Sequence, residues 1–176
     1  KLKNINKINI GDKYSDLRII SHQYINNDQR VIFSFKNINY SFKTSLIGKI
    51  QIYNLLMAIL AAYKSNLSLP KIVNSIKKIK AVPGRIEKIG NLKNNSIVIL
   101  DYAHTPDALE MCLKSIKDQF KLKKITLVFG CGGERDKPKR KLMGAIANDN
   151  CDKIYLTDDN PRNENPEKIR KDIKVK

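Results

Sequence analysis

Apolar residues in the first half of the chain recur with strand-like and then helix-like spacing. Three runs rich in β-branched and aromatic residues, separated by Asn and Asp, predict an antiparallel meander: 17–25, 30–35 and 38–42. Residues 50–63 are apolar on nearly every side of a helix, which predicts a buried helix. A second helix, apolar on one face, is predicted to begin near Ser68.

The pattern changes at 81–84, where Ala-Val-Pro-Gly interrupts the helical spacing. Beyond it, short apolar runs alternate with helical segments and predict three strands: 97–100, 125–129 and 153–156. Strands separated by helices of this length indicate an α/β fold with a Rossmann-like parallel sheet, helices on both faces and right-handed crossovers. We therefore predict two domains, residues 1–82 and 83–176.

Polar residues follow each of the three predicted strands: 101–107, 130–137 and 157–162. Because the carboxyl ends of parallel strands line one crevice, these segments are predicted to surround a ligand. In the last segment, Asp159, Asn160, Pro161 and Arg162 offer an acidic group, an amide and a guanidinium on a backbone that proline stiffens. That set suits a molecule with both carboxylate and ammonium groups, such as an amino acid. The alternative is a proline turn that opens the following helix.

The 176 residues carry a formal charge of +17, which raises the possibility of nucleic-acid binding. Only seven of the 34 basic residues are Arg, and the other 27 are Lys scattered along the chain. This distribution favours a solvated Lys surface, so no nucleic-acid partner is expected.

Other function classes lack their usual patterns. The chain has no GxxxxGK[ST] loop, no convincing Ser-His-Asp set and no His/Cys metal spacing, so we assign no catalytic or metal-binding residue in it. Its longest apolar run is too short to cross a membrane. Its three cysteines, an odd set, fit reduced thiols in the cytoplasm.

Five segments together resemble the Mur ligase family of peptidoglycan synthesis, and within it the members that add meso-2,6-diaminopimelate as the third residue of the stem peptide. The match covers essentially the whole chain. One departure is Gln51, where the family has Asn in its G-x-x-N-x-x-N motif. The segments, in chain order, are 48–54 (G-K-I-Q-I-Y-N), 83–85 (P-G-R), 101–106 (D-Y-A-H-T-P), 129–136 (F-G-C-G-G-E-R-D) and 159–162 (D-N-P-R).

The resemblance implies an ADP-forming acid–amino-acid ligase. ATP with Mg²⁺ would phosphorylate the D-Glu side chain of UDP-N-acetylmuramoyl-L-alanyl-D-glutamate, and an amine of diaminopimelate would attack the acyl phosphate. Residues 1–82 would be the end of the central ATP-binding domain, and 83–176 an incomplete C-terminal amino-acid-binding domain. The implied ATP-binding residues are Gln51, Asn54, Arg85, Asp101 (through the ribose hydroxyls) and His104. The implied diaminopimelate-binding residues are Arg135, Asp159, Asn160, Pro161 and Arg162.

The resemblance also implies a monomer that acts on small molecules, with no membrane partner. The family's triphosphate loop and UDP-binding domain are not found in this sequence, so the chain is expected to be a fragment without ligase activity of its own. Three alternatives stay open: a lysine-adding or folylpolyglutamate-type relative, a non-catalytic basic binding protein, and a decayed gene product.

Overall fold

A computed structural model of the protein describes residues 7–11 and 13–174. The chain forms two compact units, the first ending at Ile99 and the second beginning at Leu100. Each unit has its own hydrophobic core. The predicted boundary between residues 82 and 83 stays a prediction.

The first unit contains a four-stranded sheet in the order β1-β2-β3-β4. The antiparallel meander of β2, β3 and β4 confirms the prediction for these residues, and β1 adds a short parallel partner to β2 that was not predicted. The strands are β1 (Ile10–Gly11), β2 (Leu17–Ile25), β3 (Asp28–Phe35) and β4 (Ile38–Thr44).

Two helices cover this sheet: α1 (Lys49–Lys64) and α2 (Leu69–Ser75), which continues into a 3₁₀ turn, Ile76–Lys78. Both predicted helices are confirmed, but burial of α1 on nearly every side is wrong, since Met57 is 53% exposed. One face of α1 packs against the sheet, because helical spacing places its bulky aliphatic residues together. They are Ile52, Leu55, Leu56, Ile59 and Leu60.

A buried glutamine fixes the segment that leads into α1. The Gln29 Nε2 group donates to the Leu46 carbonyl at 2.7 Å and to the Gly48 carbonyl at 3.2 Å. Its Oε1 atom lies 2.7 Å from His22 Nε2, which therefore carries the proton and donates. Gly48 has a φ of 87°, a conformation that favours glycine. This network sets where α1 begins and hence where Gln51 projects.

The strands β5 (Glu87–Asn91) and β6 (Ile97–Leu100) form a two-stranded sheet. The sequence pattern placed β6 in one parallel sheet with the two strands that follow. In the described part of the chain β6 is instead hydrogen-bonded to β5, which lies only a short turn away in sequence. Local pairing of this kind closes a much smaller loop than pairing with a strand beyond the next helix.

The second unit alternates helices and strands as predicted, and its two strands pair in parallel, in register from Thr126↔Lys153 to Phe129↔Leu156. Residues from all three helices and both strands share its hydrophobic core. The elements are α3 (Pro106–Gln119), β7 (Thr126–Phe129), α4 (Pro138–Asn150), β8 (Lys153–Leu156) and α5 (Pro166–Ile173).

Side chains of β7 and β8 alternate between the core and solvent. Leu127, Phe129 and Leu156 pack against the core, whereas Val128 is 63% exposed and Tyr155 is also exposed. The pattern of β7 is therefore that of a half-buried strand. Among the described helices, none combines the length and apolar character needed to cross a bilayer.

Candidate functional site

The loop between β6 and α3 is held by its own polar groups. The Asp101 Oδ1 atom accepts from the Ala103 amide at 2.8 Å, and His104 Nδ1 lies 3.2 Å from the Tyr102 carbonyl. Thr105 caps α3 by accepting from the Ala108 amide at 3.3 Å. Lys139 Nζ of α4 donates to the His104 carbonyl at 2.8 Å, so this loop lies beside α4.

Two loops that follow β7 and β8 contact each other through their backbones at the glycines of residues 130–133. A Cβ atom on Gly130 or Gly133 would lie closer than 3.0 Å to a backbone oxygen, that of Thr157 or Pro161 respectively. A Cβ on Gly132 would lie 3.1 Å from a guanidinium nitrogen of Arg162. The glycines are therefore needed because the 157–162 loop occupies the space that side chains would take.

Hydrogen bonds lock the two loops at Gly133. Its amide donates to the Asn160 carbonyl at 3.1 Å, and its carbonyl accepts from Arg162 Nη1 at 2.5 Å. The Asn163 amide group donates to the Glu134 carboxylate at 2.9 Å. The structure thus brings together the two segments that were predicted from the sequence to bind the amino acid.

The residues predicted to bind the amino acid lie at the surface of these two hydrogen-bonded loops. Arg135, Asp159, Asn160 and Arg162 are exposed, and Pro161 is half-buried. In the described chain, the Arg135 side chain makes no hydrogen bond or ion pair, and neither does the Asn160 carboxamide. Two guanidiniums and one amide are therefore available to a ligand with carboxylate groups.

Three residues of these loops have left-handed backbone conformations: Glu134 (φ 51°), Asn160 (φ 42°) and Arg162 (φ 51°). Such angles are uncommon outside glycine, although Asn tolerates them better than most residues. Strained backbone conformations of this kind concentrate at ligand sites, where the surrounding structure enforces them.

The predicted ATP-binding residues of the first unit are Gln51, Asn54 and Arg85. Gln51 and Asn54 are three residues apart and so share one face of α1. The Gln51 Nε2 group donates to the Arg85 carbonyl at 3.1 Å, which holds the two segments together. Asn54 is exposed. These amides and the guanidinium fit the donors and acceptors of a nucleotide. Asp101 and His104 belong to the second unit.

Sequence reasoning missed two residues beneath the loops, Arg140 and Glu164. The Arg140 side chain of α4 is 1% exposed, and the Glu164 side chain is 14% exposed. Arg140 Nη1 and Nη2 donate to the two Glu164 carboxylate oxygens at 3.0 and 2.9 Å. The signal was present: Arg140 shares a helix face with the buried Met143, Gly144 and Ala147 at helical spacing.

Because of this ion pair, we expect the stability of the second unit to fall in acid. The hydrogen bond from Arg140, and then that from the Glu134 amide, hold the pKa of Glu164 at about 2, below the ordinary 4.5. Because the folded pKa is depressed, the stabilisation is complete above pH 4.5 and is lost as the pH falls from 4.5 towards 2. Lys137 and Asp172 complete the charged surroundings.

We expect the urea midpoint of the wild-type chain to fall over this pH range more steeply than that of Glu164→Gln, followed by circular dichroism. Glu167→Gln, an exposed Glu paired with Lys171, serves as the control and should keep the wild-type slope. Equal slopes for wild type and Glu164→Gln would contradict the prediction.

The three cysteines, all in the second unit, are free thiols. Burial raises the pKa of Cys112 to about 12 and that of Cys151 to about 11, and burial also raises the pKa of Cys131. At neutral pH they are protonated and poor nucleophiles. Within residues 7–11 and 13–174, no group of three or more His, Cys, Asp or Glu side chains could hold a metal ion. These residues do not by themselves form a site for Mg²⁺.

Residues 84–176 match the family model described as "Mur ligase, glutamate ligase domain". The chain is 44% identical, over 172 residues, to the UDP-N-acetylmuramoyl-L-alanyl-D-glutamate–2,6-diaminopimelate ligase of Rickettsia montanensis, with 97% of this chain and 35% of that protein aligned. A solved ligase with the same enzyme name is 33% identical with a TM-score of 0.63, covering 92% of this chain and 33% of its own.

A more distant structure, a MurF ligase from Thermotoga maritima in complex with ADP, is 18% identical with a TM-score of 0.70, covering 97% of this chain and 38% of its own. At that identity it shows the fold alone. The chain spans about a third of the length of the relatives it matches. The family match covers more than half of the chain and includes both locked loops. The chain therefore belongs to the Mur ligase family.

Proposed function

We propose that this chain is part of an ATP-dependent ligase that adds meso-2,6-diaminopimelate to UDP-N-acetylmuramoyl-L-alanyl-D-glutamate in the cytoplasm. The observation that carries the proposal is the lock at Gly133, which fixes Arg162 and Asn160 beside each other on one rigid loop. The relative from Rickettsia, which aligns with 97% of the chain, bears the name of this activity.

The amino-acid site would lie on the exposed surface of the two loops. One carboxylate of diaminopimelate would accept from the Arg162 nitrogens that Gly133 does not use, and Arg135 and Asn160 would take further polar groups. Asp159, on the same loop, offers a counter-ion for an ammonium group, and Pro161 limits the backbone freedom between them. Lysine lacks the second carboxylate, so it would leave a guanidinium unpaired and facing its ammonium.

In the first unit, the residues that would contact the nucleotide are Gln51, Asn54 and Arg85. In the second unit, taken by itself, Asp101 and His104 are the corresponding candidates. ATP supplies the phosphoryl group that converts the D-Glu carboxylate into an acyl phosphate. The amine of diaminopimelate attacks that carbonyl carbon, the carbon–oxygen bond to phosphate breaks, and the amine proton is lost to solvent or a base. The residues of this chain contribute by positioning the amine and the nucleotide. Mg²⁺ would need ligands beyond the described residues, such as the nucleotide phosphates.

Phosphate release by the full-length protein that carries this chain tests the proposal. With ATP and the UDP-linked dipeptide present, we expect turnover with meso-diaminopimelate and kcat/KM at least about 100-fold lower with L-lysine. The isolated 176-residue chain, taken to be a monomer, should show no turnover. Comparable use of lysine would overturn the substrate choice, and turnover by the isolated chain would overturn its status as an inactive part.

A further inference from the structure

The buried Arg140 is the feature that the proposed function does not use. Among the described residues, it is the one charged residue in the buried class. Burying a guanidinium is costly unless every donor is paired, and an apolar side chain of similar volume often serves stability as well. The contacts of Arg140 should therefore explain why a charged side chain is present at this buried position.

The contacts of Arg140 lead to the loop after β7, to the segment just before α5 and to the last turn of α5. Nη2 donates to the Gly132 carbonyl at 3.2 Å as well as to Glu164, and Nη1 also donates to Asp172 Oδ2 at 2.9 Å. The Nε atom has no partner in the described part of the chain. The guanidinium thus joins α4, α5 and the glycine loop at one point.

Glu164, the partner of Arg140, is hydrogen-bonded to both the loop after β7 and the loop after β8. Its carboxylate accepts from the Glu134 amide at 2.5 Å, and its own amide donates to the Pro161 carbonyl at 3.0 Å. Glu134 and Pro161 are the sequence neighbours of Arg135 and Arg162. Each arginine that reads the ligand is therefore one residue away from a backbone atom held by Glu164.

We propose that Arg140 is a positioning residue for the amino-acid site. Acting through Glu164, it holds the loop after β7 and the loop after β8 in the arrangement that directs Arg135 and Arg162 towards the carboxylates of the incoming amino acid. This inference rests on the proposed function. The depressed pKa of Glu164 supports it, because the clamp stays charged at every pH at which the protein would work.

Lysine in place of Arg140 keeps the charge but has one nitrogen, which cannot reach the four acceptors that the guanidinium fork satisfies. Arg140→Lys is therefore the sharper variant, Arg140→Met keeps the volume without charge, and Glu164→Gln removes the partner. Lys141→Met is the matched control, since Lys141 is the exposed neighbour of Arg140 on the same helix.

The first readout is amide hydrogen exchange on the chain itself, which needs no ligand. In Arg140→Lys we expect the amides of Gly133 and Glu134 to exchange at least about tenfold faster, while those of Leu113 in α3 change by less than about twofold. Lys141→Met should leave all of them unchanged. Unchanged loop amides, or an equal change throughout the second unit, would overturn the clamp, the latter because it indicates a structural role alone.

The second readout is steady-state kinetics of the full-length protein. Arg140→Lys should raise KM for diaminopimelate at least about tenfold and leave KM for ATP within about twofold. Equal increases in both would overturn a positioning role. If the wild-type protein does not use diaminopimelate at all, the proposed function fails, whereas the exchange measurement still decides whether the clamp exists.

Discussion

Alanine in place of Gly133 is expected to destabilise the second unit by about 3 kcal/mol or more, at the upper end of what overpacking costs. The added Cβ would overlap the Pro161 carbonyl, and the neighbouring atoms are backbone, which cannot rotate aside. The loops would have to separate, breaking the hydrogen bonds of Gly133 to Asn160 and Arg162.

Thiol labelling measures this effect selectively, because all three cysteines lie in the second unit and two of them, Cys112 and Cys131, are buried. Brief labelling at increasing urea should show Cys131 of Gly133→Ala reacting at lower urea than wild type. Gly90→Ala is the control, since its Cβ would meet nothing within 4 Å. Wild-type protection in Gly133→Ala would show that the two loops are not in backbone contact.

Gly132→Ala is expected to change the position of a ligand-binding group while leaving the stability of the loops nearly unchanged. Its Cβ would meet the far end of the flexible Arg162 side chain, which can move at little cost in stability. The loops themselves would stay together. What changes is the direction of the guanidinium, so the two neighbouring glycines serve different purposes.

The sequence predicted the order of elements well because strong local signals coincide with them. Thr105, Pro106 and Asp107 indicate a helix start within three residues, and the structure shows the cap, the first-turn proline and the acidic first turn. The Asn-rich turns likewise separate strands that pair with their sequence neighbours. These features depend on residues close together in the chain.

Features that depend on distant residues were harder to predict. The apolar pattern of β6 shows that it is a strand but not that β5 is its partner. Arg140 lies in the run Lys139-Arg140-Lys141, where every residue looks solvated, and only its spacing from Met143 and Ala147 indicates burial. The partner Glu164 lies in another element, and no local rule connects the two.

The glycines illustrate the same limit in the candidate site. A G-x-G-G segment after a strand is compatible with a tight turn or with phosphate binding. In the structure, the absence of side chains at these glycines makes room for the backbone of the 157–162 loop. The resemblance to the family pointed to the two loops, and the backbone contact between them explains why the 130–133 segment requires glycine.

Lysine in place of Arg162 is expected to weaken the use of diaminopimelate more than any other single change at the surface of the site. Arg162 already donates one nitrogen to the Gly133 carbonyl, and its other nitrogens would bind the carboxylate. A lysine ammonium cannot do both, so KM for diaminopimelate should rise by about 100-fold, or about 3 kcal/mol in binding. KM for ATP should stay near the wild-type value, and use of L-lysine should fall far less, so that the preference for diaminopimelate over lysine narrows.

Steady-state kinetics of the full-length protein measure all three quantities. The control is Arg18→Lys, at an exposed position on β2 in the first unit. Should Arg162→Lys keep the wild-type preference, the guanidinium does not read the second carboxylate, and the discrimination against lysine must come from Arg135 or from residues outside this chain.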